Sequence, residues 1–430
     1  MRPNVASTQE RQMAIFRRNV ETARAAGILR LRIEDEQLDP AFITLDEQRL
    51  INFGSCAYMG LNMDPRLRAG AAAAVNSFGT VFSSSAVYTS VGLYTELEER
   101  LQKIIGAPLL VTSTTTLSHL AALPTLIGEG DVVLVDNNAH ASVHLATRVL
   151  ASDGIPILPV KHNDLADLES QVSLLSERYR RIWYLADGVY SMVGDGAPVA
   201  GLRDLLDRFP TLFMYIDDAH GFGWKGDHGS GWILDGMSWH PRLVLAFSLA
   251  KSWGSGGAVL AFGDEEMAAK VENVGGTLTF SGPLHPAELG ASVAVADIHL
   301  SWEHAERQDA FSRQIDFVAK TLADARLPVA SFERTPLWLI TVGNFRRTVE
   351  LCRRLQGRGF FANLACFPAV PLNQNGIRFT NTLNHSNEQI RDFIGNVAEL
   401  LDELGGGTDI EIDLTQIEAV ESPSHGEKSF

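Results

Sequence analysis

The chain has 430 residues, 45% of them hydrophobic and 20% charged, a globular composition on a length that calls for more than one domain around at least one sizeable core. Its formal net charge of -16, with Lys and Arg scattered rather than blocked, argues against a nucleic-acid partner. Three cysteines, Cys56, Cys352 and Cys366, lack paired or metal-like spacing and fit a reducing, cytoplasmic setting.

Taken in chain order, the N-terminal stretch has Arg, Glu and Gln in every apolar run, so it lacks the core of a signal peptide. It predicts a helix over 7–26 with Met13, Ile15, Phe16 and Val20 on one side, for packing against the body or a second subunit. No stretch reaches the roughly 18 consecutive apolar residues of a membrane span. "FITLDEQRLINF" reads as a hairpin turning near Asp46 and Glu47. Between 109 and 262, β-rich runs recur ("LLVTS", "DVVLVD", "IPILPV", "RIWYLAD", "LFMYIDD", "LVLAFS", "AVLAFGD"), with helical stretches expected at 119–127, 140–151, 164–181 and 202–208. This alternation predicts an α/β fold: a mostly parallel, seven-stranded sheet with helices on both faces.

Beyond Gly282-Pro283 a single helical tract is expected to reach Ala325. Strands in "VASFERTPLWLITVGN", "GFFANLACFP" and "NGIRFTNT", around a helix over 345–358, then make a smaller α+β domain. The expected division is 1–60 for the N-terminal helix and hairpin, 61–290 for the large domain, 291–405 for the small one, and 406–430 for an acidic, frayed tail.

In open α/β sheets ligands gather outside the carboxyl ends of the strands. There the sequence places Thr114 to Thr116, His140, Asp187 to Ser191, Asp217 to His220, and Ser248 with Lys251. A lysine closing a hydrophobic strand beside glycines can be a surface group, a phosphate-binding charge or a nucleophile; no GxxxxGK[ST] loop is present. As a Schiff-base former it needs a cofactor aldehyde, and pyridoxal 5'-phosphate fits. Asp217 then suits the pyridine nitrogen, Thr115, Thr116 and Ser248 the phosphate, and His140 the ring face. Asp217, Asp218 and His220 are spaced for a metal, but no further His or Cys cluster completes a ligand set, so no metal is expected.

Five segments in order resemble the α-oxoamine synthase family of fold-type I pyridoxal-phosphate enzymes, whose fold is aspartate aminotransferase-like. "INFGSCAYMGL" is similar to N-F-x-S-N-D-Y-L-G-L, "DNNAHASV" to D-x-x-x-H-A-S, and "DGVYSMVGDGAP" to E-G-V-F-S-M-D-G-D-x-A-P. "DDAHGFGWKGDHGSG" resembles D-E-A-H-S-x-G-x-x-G-x-x-G-x-G, and "SLAKSWGSGG" resembles T-F-S-K-x-x-G-x-x-G-G. The resemblance implies that Lys251 carries the cofactor and then serves as base and acid at the substrate Cα. It puts Asp217 on the ring nitrogen, His140 on the ring face, Ala219 beneath it, and His220 and Ser191 near the phenolic oxygen. Thr115, Thr116 and Ser248 would hold the phosphate, Ser281 would reach in from the partner subunit of a homodimer, and Arg378 would grip the substrate carboxylate. The implied reaction is decarboxylative condensation of an amino acid with an acyl thioester, from coenzyme A or a carrier protein, with His140 and His220 polarising the acyl oxygen or carboxylate. An aminotransferase and a non-catalytic protein of the same fold are the competing readings.

Three departures stand out: Cys56-Ala57 replaces Asn-Asp, Ser85-Ala86 stands where Ser-Arg is common, and "TTTLSH" replaces S-G-Y-x-A-N, with Thr115 for glycine. "SLAK" is similar to the autoinducer synthase branch. His119 and His144 read as ordinary helix residues, His285 and His385 as loop residues, Asp218 as structural, and Tyr94, Trp224 and Trp253 as packing or as an acyl channel lining.

Overall fold

The computed structural model describes residues 8–405, so the expected tail over 406–430 and the first residue of the expected N-terminal helix lie outside the described residues. Helix α1 runs Thr8–Ala25 and leads to strands β1 (Phe42–Leu45) and β2 (Gln48–Asn52). They form the expected antiparallel hairpin, and Asp46 and Glu47 take φ of 48° and 63°. Positive φ at both central residues is what matches a two-residue turn to the twist of its strands.

Helices α2 (Pro65–Phe78) and α3 (Leu93–Ile105) come next. Then β3 (Leu109–Thr112), α4 (Thr115–Leu126), β4 (Asp131–Asp136), α5 (Ala141–Ser152), β5 (Ile157–Val160), α6 (Leu165–Leu175), β6 (Arg181–Asp187), α7 (Val199–Arg208) and β7 (Leu212–Asp217) alternate. Short helix α8 (Trp232–Gly236), β8 (Leu243–Ser248) and β9 (Ala258–Phe262) complete the sheet. All seven β-rich runs become strands of one sheet, ordered β3-β9-β8-β7-β6-β4-β5, in which β9 runs against both its neighbours. Strands covered on both faces need apolar residues in both directions, and β4 and β8 are buried at every position. Val133, Val135, Trp183, Leu185 and Tyr215 pack with α4 and α5 on one side. Val132, Leu134, Ile182, Tyr184 and Met214 enter the larger core on the other.

Helix α6 stops at Leu175 rather than continuing to 181. The chain must turn back to feed β6, and Arg180 is tied down by its N–H to the Gly130 carbonyl and by its guanidinium to Asp131 at 3.0 Å. After α9 (Glu265–Val274) and α10 (Gly276–Phe280), the expected single helical tract is two helices, α11 (Pro286–His299) and α12 (Trp302–Asp324). The break falls at Ser301, whose backbone is extended and whose hydroxyl donates to the Ile298 carbonyl.

The C-terminal part contains β10 (Leu337–Gly343), α13 (Phe345–Gly357), β11 (Phe360–Phe361), β12 (Asn363–Ala365), β13 (Asn375–Thr380) and α14 (Asn387–Glu403). Two sequence expectations change here. Residues 329–336 stay irregular, touching β10 through one Val329–Ile340 bridge, and "GFFANLACFP" splits between two sheets. Its β11 pairs in parallel with β2, while β12 pairs with β13. Phe53 anchors the junction by stacking on Phe393 and on His385, each at 4.3 Å between ring centroids. The Thr380 N–H donates to the Phe53 carbonyl, and the Thr380 hydroxyl donates to the Ser55 carbonyl at 2.5 Å. These bonds lay residues 53–58 along the end of β13, facing the mouth of the large sheet.

Candidate active site

Asp217 ends β7 opposite Asp187 of β6, so the two buried carboxylates share one end of the sheet. The Asp217 Oδ1 accepts the Ala219 N–H at 3.1 Å, and its Oδ2 lies 3.1 Å from His119 Nε2. Burial pushes the Asp217 carboxyl up, but the His119 hydrogen bond and the His119 and Lys251 charges outweigh it and hold the group well below the usual range. Asp187 goes the other way, raised by burial and then by the charge of Asp217. Its Oδ1 accepts the His140 N–H at 3.0 Å, which positions the start of α5.

His119 corrects the sequence reading: it is no ordinary helix residue. Its Nδ1 lies 2.8 Å from the Tyr215 hydroxyl, and all three side chains are buried. Nε2–H donates to the Asp217 carboxylate, and Nδ1 is paired with the Tyr215 hydroxyl, which burial keeps protonated. The sequence signal was a histidine one helical turn beyond Thr115 in an otherwise apolar stretch, "LSHLAAL".

Lys251 lies in the turn after β8, part-buried, with its amine pushed down by burial against the pull of Asp217, Cys56 and Asp187. Gly254 must be glycine: at φ 84°, a Cβ would stand 2.8 Å from the Asn62 nitrogen. Ser248 is buried and accepts the Ala250 N–H at 3.2 Å. Thr115 and Thr116 open α4, where N–H groups have no carbonyl four residues back, and Thr114 caps the helix by accepting from the Leu117 N–H at 3.2 Å. His140 caps α5, with Nδ1 2.6 Å from the Ser142 hydroxyl and its ring exposed.

His220 is buried and neutral, forced well below its usual range first by burial and then by Lys251 and Arg378, with Nδ1 2.7 Å from the Tyr58 hydroxyl. Ala219 is buried beside it. Arg378 projects from β13, buried, its Nε donating to the Ser191 carbonyl at 2.7 Å and its Nη2 reaching Cys56 Sγ at 3.7 Å. Lys251, Asp217, Asp187, His140, His220, Cys56 and Arg378 therefore feel one another's charges at a single mouth. The hydroxyl of Ser281 instead donates to the Thr277 carbonyl of its own segment at 2.5 Å. Asp218 turns inward, accepts the Ile233 N–H at 3.1 Å, and is pushed by burial up to about 8. Trp224 and Trp253 are core residues, whereas Tyr94, which accepts the Leu284 N–H at 2.7 Å, also lines a cavity with Val87, Thr112 and Ser281. His285 sits at the N-cap of α11, and His385 is buried, its Nε2 3.0 Å from the Asn52 carbonyl.

The sheet order and the acid-lysine pair at its mouth define a class, and comparison with known proteins agrees. Residues 48–397 match the model of "Aminotransferase class I and II", and the chain belongs to that family. Within it the chain groups with the α-oxoamine synthases. It is 32% identical over 361 residues to the 8-amino-7-oxononanoate synthase of Maricaulis maris, covering 83% of this chain and 88% of that one. It is 27% identical over 355 residues to the serine palmitoyltransferase of Sphingobacterium spiritivorum, covering 82% and 86%. The solved serine palmitoyltransferase of Sphingomonas wittichii superposes with a TM-score of 0.83 at 21% identity, covering 93% of this chain and 99% of that one. Among the described residues no helix is long and apolar enough to cross a membrane.

Proposed function

We propose that the protein is a pyridoxal-phosphate-dependent acyltransferase that condenses an amino acid with an acyl thioester, with loss of carbon dioxide, to an α-aminoketone. The observation that carries this is Lys251 held at one mouth with buried Asp217 and buried Arg378.

The donor set fits the cofactor. A helix start with Thr115 and Thr116, next to Ser248, suits a phosphate. Asp217, kept anionic by His119, suits a protonated ring nitrogen, and Lys251 offers an amine. When bound, pyridoxal phosphate supplies an electron sink for bonds at the substrate Cα. Arg378 orients the amino acid by its carboxylate, and Lys251 Nζ takes the Cα proton and later returns one. The freed Cα attacks the acyl carbon, thiol leaves, and the β-keto acid loses carbon dioxide. His140 and His220 donate hydrogen bonds toward the acyl oxygen or carboxylate. His140 would also cover the ring face, Ala219 would lie beneath it, and Ser191 and His220 would serve the phenolic oxygen.

Residues 61–290 form the cofactor domain and 291–405 the smaller one, and the working unit is a homodimer in the cytoplasm, with Ser281 completing the neighbouring site. Support for the reading is the family membership and the ordered match of strand-end residues. Borohydride reduction of the holoprotein followed by peptide mass spectrometry tests it: the cofactor is expected on the Lys251 peptide and absent from Lys251→Ala. Release of free thiol and carbon dioxide only when amino acid and acyl thioester are both present supports condensation. Release of a keto acid from amino acid alone would replace it with transamination.

A further inference from the structure

Cys56 stands where the family resemblance places an asparagine, and the fold brings it to Arg378 from 322 residues away. Its position is well held. The Tyr58 N–H donates to the Cys56 carbonyl at 2.9 Å, the Ala57 N–H to the Ser55 hydroxyl at 3.2 Å, and Thr380 fixes the Ser55 carbonyl. The Arg378 guanidinium is oriented too, since Nε is taken by the Ser191 carbonyl. Nη2, one of the two nitrogens at the guanidinium tip, therefore points at sulfur, 3.7 Å away.

The groups facing the thiol all bear on its charge. Arg378 approaches from β13, Lys251 from the turn after β8, and Tyr58 from the segment of Cys56 itself, with its hydroxyl on neutral His220. Asp217 and Asp187 stand across Lys251 and draw on its charge. Burial pushes the Cys56 thiol up, but Arg378 and then the free Lys251 amine outweigh it; when Lys251 carries the cofactor, Arg378, the larger of the two, still stands beside the sulfur. The other two cysteines go the opposite way, Cys352 up to about 12, both through burial. An asparagine beside the arginine would offer a substrate carboxylate a donor that never ionises; a thiol there can ionise, and its anion competes for the guanidinium.

We infer that Cys56 makes amino-acid binding proton-coupled: Sγ and the substrate carboxylate compete for Arg378, and the carboxylate enters as Sγ takes one proton from solvent. The neutral thiol then leaves the guanidinium free to form two parallel bonds to the carboxylate. This rests on the reading of Arg378 as the carboxylate grip. It makes Cys56 the residue that sets the pH range over which the site accepts an α-carboxylate.

The test uses the holoprotein, with propionate as a carboxylate that carries no amine. Part-exposed Cys56 is alkylated with iodoacetamide across pH and read on its peptide by mass spectrometry. The expected midpoint lies below the roughly 8.5 of a free thiol, rises when propionate is added, and stops responding to propionate in Arg378→Met. In parallel, the amino-acid KM of the wild type, relative to Cys56→Ser, is expected to rise about tenfold per pH unit above that midpoint. A midpoint indifferent to propionate, with KM still raised by Arg378→Met, overturns the coupling and leaves the carboxylate grip standing. A KM unchanged in Arg378→Met removes the grip and the coupling with it. Should Cys56→Ser fail to fold, the alkylation profile of the wild type decides alone.

Discussion

Replacing His119 with leucine removes two hydrogen bonds from a closed part of the molecule. Asp217 loses the Nε2–H donor at 3.1 Å, and the Tyr215 hydroxyl loses its Nδ1 partner at 2.8 Å. A hydrogen bond to a charged group contributes about 1.5–3 kcal/mol, and a buried hydroxyl left without a partner costs about 1–3 kcal/mol. Because both run through one ring they do not simply add, and the expected loss of stability at pH 7 is about 3–5 kcal/mol. The pH dependence carries a sign. The folded-state Asp217 carboxyl is depressed, so its contribution is present above the unfolded value near 3.9 and lost as pH falls through the lower, folded value. In His119→Leu the carboxyl moves up by roughly 1–2 pH units, since about 1.4 kcal/mol corresponds to one unit. The gap between the two proteins should thus be full at pH 7 and narrow in acid. Urea unfolding followed by circular dichroism at both pH values measures it, with His119→Asn, which keeps a donor toward Asp217, expected in between. Coincident unfolding midpoints for wild type and His119→Leu at pH 7 would refute the network.

Thr114→Ala removes the cap of α4 and should cost about 1 kcal/mol in thermal unfolding while weakening cofactor retention in dialysis, because the same helix start is the phosphate site we propose. His162 sits between Asp136 at 2.9 Å and Asp195 at 2.6 Å, which overcome burial and raise it to about 9. Its contribution, up to about 3 kcal/mol, is complete below an unfolded value near 6.5 and lost as pH rises through about 9. The melting-temperature gap between wild type and His162→Gln should therefore shrink from pH 7 to pH 10; a constant gap would dismiss the ion pairs. Gly194 has φ 81° and lies against the Leu337 carbonyl oxygen, and the Thr335 hydroxyl donates to the Gly194 carbonyl at 2.5 Å. Gly194→Ala should lower stability by at least about 2 kcal/mol, whereas an unchanged melting temperature would show that this contact yields freely.

The sequence by itself determined the large sheet, because strands covered on both faces must be apolar throughout and end abruptly at turns, as "LVLAFS" does before Lys251. It also determined which residues crowd the sheet mouth, since Asp217, Ser248 and Lys251 are fixed to strand ends by local register alone. What it could not carry were pairings made across the chain. "GFFANLACFP" has one β pattern, yet β2 and β13 compete for it and each takes a part. The tract after Gly282 has one helical pattern, yet the chain needs an extended residue at Ser301 to redirect α12. His119 looked inert because its partners lie 96 and 98 residues away on β7, and the Cys56 thiol is drawn below its ordinary range by Arg378 on β13. Periodicity reports how each segment meets a core, whereas the proton affinity of a buried group is decided by which charges the tertiary fold brings within a few ångströms of it.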